Sequence, residues 1–463
     1  MTLKKYIGSR AFYRSLLAVM VPILIQNGIT NFISLLDNVM VGQIGTEQMS
    51  GVSIVNQLLF VFYLCIFGAI SGAGLFGAQF FGKGDHEGVR HTFRFKFYCT
   101  LVLCAGAILL FVFSGEPLIG LYLHEGGETG DLALTLAYAK QYLAVALIGL
   151  IPYTVTQVYA STLREIGHTV PPMIAGLCGV GVNLSLNYVL IFGKLGAPAL
   201  GVEGAAIATV VSRFVECAVV IFWTHTHAQK CEFIKGAYHS GYVPAALMKQ
   251  IARLGMPLLL NETLWAAGQA MLLQCYSYRG IAVVSAMNIT NTVYNTFSVL
   301  FMAVGSAIAI LLGHILGAGK PEEARAEADK MIAFSIFMGV LAGVFVSVCA
   351  PFFPLLYNTT DEVRALAVSF TLVMAVTSPL HAYLNACYFT LRSGGKTGIT
   401  FLFDSGYVWL VNGVFAFTLS RFTSVSPVVV YFVVQGVDIF KAILGTVLVR
   451  RGIWANDITK LAK

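Results

Sequence analysis

The sequence contains 463 residues, of which 57% are hydrophobic and only 11% are charged. Because a soluble domain normally carries about 25% charged residues, this composition excludes a soluble globular protein. The formal net charge of +7 does not indicate nucleic-acid binding, since the basic residues fall in short segments between apolar runs.

Twelve apolar segments follow one another along the chain, and each is long enough to cross a bilayer as a helix. Four basic residues precede the first segment, but this segment is too long for a signal peptide and lacks a small-residue cleavage site. We therefore interpret it as a retained first helix and predict an all-α membrane protein with twelve transmembrane helices. The predicted cores are residues 15–39, 52–80, 95–113, 133–160, 170–192, 203–224, 250–275, 282–314, 329–350, 364–391, 398–420 and 427–449.

The basic residues predict how the chain is oriented in the membrane. Most of the 29 Lys and Arg residues fall at the two termini or in alternate connections, where we place Arg94, Lys96 and Arg164. Because Lys and Arg accumulate on the cytoplasmic side, we predict a multi-pass protein of the cell (inner) membrane with both termini in the cytoplasm. The basic residues on the opposite side are Lys194, Arg279, Arg364 and Arg421.

The two halves of the chain carry the same local patterns. Residues 79–90 read QFFGKGDHEGVR and residues 314–325 read HILGAGKPEEAR, while STLREIGHT at 161–169 matches FTLRSGGKT at 389–397. Both halves start on the same side, so we predict parallel repeats related by an axis along the membrane normal. The predicted domains are an N-lobe of helices 1–6 (1–224), a cytoplasmic linker (225–248), and a C-lobe of helices 7–12 with a short tail (249–463).

Six motifs in a fixed order make the chain resemble the bacterial type of the MATE family, the multidrug and toxic compound extrusion transporters. They are LLDNVMVGQIG in helix 1, GAQFFGKGD after helix 2, its copy GHILGAGKPEEA, LREIGHT after helix 4, NLSLNYVLIFG in helix 5 and PLLLNETLW in helix 7. The resemblance covers essentially the whole chain. It implies a V-shaped fold of two six-helix lobes and the cation-coupled export of amphiphilic, often cationic compounds by alternating access.

Asp37 is the first candidate coupling residue, because an acid at bilayer depth costs about 2.5–3.5 kcal/mol on insertion scales. The alternative is that Asp37 lies close enough to the outer surface to be solvated. The resemblance implies that this Asp binds the coupling cation with residues of helix 5, here Asn183 and Asn187, although Asn187 stands where an acid is usual. The polar residues of helix 1 that we predict to line a cavity are Gln26, Asn27 and Asn31.

Glu262 in helix 7 is the second candidate, because the resemblance implies a coupling carboxylate there; the alternative is a salt bridge with Arg253. Asp404 in helix 11 is either a further member of the cation site or a packing group. The resemblance implies no cofactor and leaves H⁺ and Na⁺ open as coupling ions, with Asp37 or Glu262 as the Na⁺ site. The other residues predicted to line the substrate cavity are Trp265, Gln269, Asn288, Asn291, Tyr294, His381 and Asn385.

Two oppositely charged pairs are predicted to be structural rather than functional. Asp438 with Lys441, and Arg213 with Glu216, are each three residues apart on a helix, where side chains can meet. The nine cysteines lie mostly in apolar segments and are predicted to be reduced thiols.

Two other functional classes compete with cation-coupled efflux. A flippase of lipid-linked precursors has the same two-lobed architecture, but a pyrophosphate site needs several Arg and Lys residues, and few lie within the membrane. An enzyme or ATP-driven pump is not expected, because SGGKT at 393–397 lacks the leading glycine of a phosphate-binding loop. The expected partners are small amphiphilic molecules and membrane lipids, without ATP or nucleic acid, and the protein is expected to be a monomer.

Overall fold

The computed structural model describes residues 5–123 and 131–462, and for residues 32–39 and 462 it describes the backbone only. The described part of the chain consists of helices and their connections, with no strand. The long helices are α1 (Arg10–Gly42), α2 (Thr46–Gly82), α3 (His86–Gly120), α4 (Leu132–Glu165), α5 (Val170–Phe192), α6 (Gly201–Thr226), α7 (Ala245–Ser277), α8 (Ile281–Gly317), α9 (Pro321–Cys349), α10 (Asp361–Ser393), α11 (Thr397–Phe422) and α12 (Pro427–Arg450).

Each predicted span corresponds to one of these helices, which confirms the all-α membrane fold. Within the described residues, eleven helices are long and apolar enough to cross a bilayer. The exception is α7, whose 33 residues include Lys249, Arg253, Asn261 and Glu262. All nine cysteines are free thiols, as predicted.

The helices form two compact units. Unit 1 contains the described residues of Met1–Leu24, Ala78–Gly84 and Lys249–Lys463, and unit 2 contains Ile25–Gly77 and Asp85–Met248. The start of α1 and the end of α2 therefore pack with helices of the second half of the chain, and the whole linker (225–248) belongs to unit 2. The division into two homologous lobes at 225–248 stays a prediction.

In unit 1, the ends of α2 and α8 cross at residues that the repeat pairs with each other. A Cβ atom on Gly82 would overlap the carbonyl of His314, and one on Gly317 would overlap the carbonyl of Gln79. Gln79 and His314 are themselves equivalent in the repeat, so the contact is reciprocal, as expected around a local two-fold axis. Glycine permits this approach because it has no side chain between the two backbones.

In unit 2, basic residues predicted to lie in connections are instead inside helices. Lys96 of α3 is fully buried, and its Nζ donates to both carboxylate oxygens of Glu165 at 2.9 and 2.8 Å. Gly74 and Gly77 of α2 leave the space that this carboxylate fills. Arg94 and Arg164, predicted to lie outside the spans, are inside α3 and α4, because a charged residue at the end of an apolar run ends the hydropathy signal before it ends the helix.

The linker between α6 and α7 is held on α3 by buried arginine hydrogen bonds. Arg94 donates to the carbonyls of Gly236, Ala237 and Tyr242 at 2.8, 2.8 and 3.1 Å. Phe233 is buried against Phe93, with ring centroids 5.3 Å apart. These contacts make the linker an ordered part of unit 2.

Candidate functional site

Unit 1 contains a largely buried ion pair that joins α11 to α12. The Lys441 Nζ atom donates to Asp404 Oδ1 at 2.9 Å, and the two side chains are only 8% and 23% exposed. The other carboxylate oxygen of Asp404 accepts from Asn261 Nδ2 of α7 at 3.2 Å. Asn261 also accepts from the Ser405 hydroxyl at 2.8 Å. Three helices therefore converge on Asp404.

A second acidic residue, Asp438, lies where the C-terminal segment of α12 begins. Its side chain connects α12 to α10 and α11. Its Oδ1 accepts from Asn412 Nδ2 at 3.0 Å, and its Oδ2 lies 3.6 Å from His381 Nε2. The predicted ion pair between Asp438 and Lys441 was wrong, because Lys441 reaches across to Asp404 instead. Spacing along a helix shows that two side chains can meet, but it does not show which neighbouring helix offers a better partner.

Irregular helical turns present these side chains to one another. Residues Leu402–Gly406 and Val408–Asn412 of α11 are π-helical, so Asp404 and Asn412 both lie in widened turns. In α12 the α-helical hydrogen bonding is interrupted at Val437, whose carbonyl accepts from the Tyr407 hydroxyl at 2.6 Å. Single π-turns frequently occur at functional sites, because they displace the hydrogen-bond ladder of a helix.

Glu262 lies next to this network but makes different contacts. It is half-buried on α7, within electrostatic reach of Arg392 and Asp404. Trp265 is half-buried and Gln269 is exposed, both on the same helix. The residue of NETLW that bonds directly to Asp404 is the preceding Asn261, which is 2% exposed.

The remaining C-terminal candidates lie on α8 and α10, and the structure brings only some of them together. The Tyr294 ring meets the His381 ring edge-on, with centroids 6.4 Å apart. Asn385 Nδ2 lies 4.0 Å from the Met302 sulfur, and its Oδ1 faces Gly305. Asn291 is half-buried, whereas Asn288 is exposed.

The N-terminal candidates belong to unit 2. Asn183 and Asn187 of α5 are buried and bonded to each other, with Asn187 Nδ2 donating to Asn183 Oδ1 at 3.1 Å. Gln26 of α1 accepts from Arg164 Nη1 at 3.2 Å. Asn27 is half-buried and Asn31 is exposed, whereas the side chain of Asp37 lies outside the described residues.

The second predicted pair, Arg213 with Glu216 of α6, is confirmed at 3.1 Å. The Arg213 guanidinium also lies over the Tyr153 ring, 5.0 Å from its centroid. Within the described residues, no three His, Cys, Asp or Glu side chains are grouped so that they could hold a metal ion.

Four residues of the unit 1 network were not predicted to be site members: Asn261, Asn412, Asp438 and Lys441. One signal could have identified Asp438 and Lys441, since ionisable side chains inside transmembrane helices are rare and usually functional; the two asparagines carry no such charge signal. The fold and this network define a class: a multi-pass helical membrane protein with ionisable groups buried between its spans, as in ion and solute carriers.

A family model described as MatE matches residues 22–189 and 257–418, more than half of the chain, and the chain belongs to this family. It is 26% identical over 417 residues to a protein named "Probable multidrug resistance protein NorM" from Halalkalibacterium halodurans, covering 89% of this chain and 88% of the relative. It is 27% identical over 364 residues to "Multidrug resistance protein MdtK" from Yersinia pseudotuberculosis, covering 78% of each.

The fold agrees with this membership. A solved structure of a multidrug resistance MATE family transporter of the MOP superfamily, in an outward-facing conformation, superposes with a TM-score of 0.85 at 17% identity. The match covers 97% of this chain and 98% of the other. The resemblance drawn from the motifs is therefore confirmed, both by the family model and by the fold.

Proposed function

We propose that this protein is a cation-coupled antiporter, using H⁺ or Na⁺, that exports small amphiphilic and mainly cationic compounds by alternating access. The observation that carries the proposal is the pair of acids between the spans of unit 1, the half-buried Asp404 and the buried Asp438, which are held by hydrogen bonds. An acid in a transmembrane helix is costly unless it has a use. Relatives named multidrug resistance proteins support the same reading.

Asp37 and Glu262 are the carboxylates that we assign to coupling, with Asn183 and Asn187 as amide partners of Asp37. A carboxylate in a poorly solvated place has two nearly balanced states, because burial favours the neutral form and nearby polar groups favour the charged one. A bound cation and a cationic substrate both neutralise that charge, so they compete. Such competition makes exchange obligatory only if the two conformations bind the ion differently.

The flippase alternative receives less support. Its pyrophosphate cargo needs unpaired basic side chains facing the cavity. Lys441 and Arg213, the basic residues considered for that role, are paired with Asp404 and Glu216 at 2.9 and 3.1 Å. We also propose that the protein works as a monomer in the inner membrane with both termini in the cytoplasm.

Transport by purified protein in liposomes tests the proposal, with a pH gradient and a Na⁺ gradient imposed one at a time. We expect Asp37→Asn to insert and fold normally but to lose gradient-driven movement of a cationic dye, and Glu262→Gln to impair it. Asp361→Asn is the matched control, because this side chain is 98% exposed. If Asp37→Asn transports at the wild-type rate, Asp37 is not the coupling site.

A further inference from the structure

We propose that His381 and Asp438 form a proton-binding site in unit 1, loaded when the cationic substrate leaves and emptied when it binds. The inference rests on the proposed function, and it selects H⁺ as the ion at this site. His381 Nε2 faces Asp438 Oδ2 at 3.6 Å, a distance at which an imidazolium and a carboxylate attract each other. Both groups are largely buried, with side chains 18% and 11% exposed.

The charges around the site favour reversible proton binding. Lys441 balances Asp404 at 2.9 Å, and Arg392 lies within electrostatic reach of Glu262. Among the described residues, Asp438 forms no direct ion pair with a permanently cationic side chain, although Lys441 lies within electrostatic reach of it. The cluster carries one net negative charge when His381 is neutral and none when His381 is protonated. Histidine suits this role because it is the side chain that ordinarily changes charge between pH 5 and 8.

Apart from Lys441, which is bonded to Asp404, the described groups around Asp438 add no permanent positive charge. Helix α10 packs against α8, α9, α11 and α12. Among the described residues, three tyrosines from α7, α8 and α11 lie within electrostatic reach of Asp438: Tyr276, Tyr294 and Tyr407. Tyrosines are ordinarily neutral at physiological pH. From α9 the neighbour is an uncharged hydroxyl, Ser335, which donates to the Ala382 carbonyl at 2.9 Å.

The atoms that surround Asp438 are suited to a proton rather than to Na⁺. Hard cations are held by several oxygen ligands. Here Asp438 Oδ1 already accepts from the amide nitrogen of Asn412, and Oδ2 faces the imidazole nitrogen of His381. The ammonium of Lys441, within electrostatic reach of Asp438, adds a positive charge that repels a metal cation. A metal cation would have to displace these donors, whereas a proton on His381 adds to them.

The net charge of this cluster links proton binding at His381 to the binding of the cationic substrate. With His381 neutral, unit 1 has a net negative cluster that attracts a cationic compound. Protonation of His381 removes that net charge and lowers the affinity. By linkage, a proton that weakens substrate binding is itself released when the substrate binds, to the same extent.

Dye binding by the purified full-length protein in detergent tests this inference, with a fluorescent cationic dye titrated at pH 8 and pH 5.5. For the wild type we expect the affinity to fall about tenfold at the lower pH, and for His381→Gln less than twofold. Asp438→Asn should also lose the pH dependence of dye binding. This second variant keeps the test decisive if His381→Gln fails to fold. His239→Gln, an exposed residue of the linker, should behave as the wild type.

The possible outcomes separate this inference from the proposed function. A wild type whose dye binding does not change with pH overturns the inference, as does a His381→Gln variant that keeps the full change. His381→Lys places a permanent positive charge at the site and should bind the dye weakly at both pH values. A wild type that moves no dye in liposomes under either gradient overturns the proposed function, but it leaves the binding result intact.

Discussion

Replacing Lys441 by methionine removes the buried ammonium that neutralises Asp404. The variant would leave Asp404 with Asn261 as its hydrogen-bond donor and with an uncompensated charge. Removing one partner of a buried ion pair typically costs about 3–5 kcal/mol. Because the Asp404 side chain is still 23% exposed, we expect a loss near the lower limit, about 3 kcal/mol.

The double variant Asp404→Asn/Lys441→Met distinguishes the charge effect from packing. Removing both charges leaves no unpaired ion, so we expect it to lose no more stability than either single variant. Unfolding in mixed detergent–SDS micelles, followed by circular dichroism, gives the free energies for a double-mutant cycle. The comparison cycle uses Asp438→Asn with Lys441→Met, for which we expect a smaller coupling energy, because Lys441 reaches Asp438 through space without a direct ion pair.

Two results would refute this reasoning. One is an additive cycle for Asp404 and Lys441, because independent effects mean that the 2.9 Å contact contributes no coupling. The other is a strongly non-additive cycle for Asp438 and Lys441. That outcome would restore the pair predicted from spacing along the helix.

Three further predictions concern the helix crossing, the orientation and the linker. Gly317→Ala should destabilise the protein by about 1–3 kcal/mol, because its Cβ meets the Gln79 carbonyl. Gly106→Ala, with open space around it, should not destabilise the protein. Equal free energies of unfolding for the two variants would contradict the close crossing. In a cysteine-free background, Lys83→Cys should react with an impermeant thiol reagent only from the cytoplasm and Lys194→Cys only from outside, and the reverse labelling would overturn the orientation. Arg94→Ala removes three hydrogen bonds to linker carbonyls, so limited proteolysis should cut the linker faster than in the wild type, and an unchanged rate would show that the linker is held by other contacts.

Features that depend on neighbouring residues could be predicted from the amino-acid sequence. Apolar runs of the length of a bilayer located the twelve helices, because hydrophobic burial in lipid depends on the run itself. The repeat located Gly82 and Gly317 as equivalent positions, and the ordered motifs identified the family. These inferences needed no knowledge of which helix contacts which.

Tertiary structure alone decided which charged groups are partners. Asp438 and Lys441 are adjacent on one helix, yet Lys441 bonds to Asp404 and Asp438 faces His381. Local spacing is fixed by the helical repeat, but a contact between helices depends on packing and on irregular turns such as those of α11. A buried carboxylate pairs with the donor that the fold places next to its oxygen atoms, since an unpaired charge away from water is costly. Partners that are far apart in the sequence cannot be recognised from the local sequence around either residue.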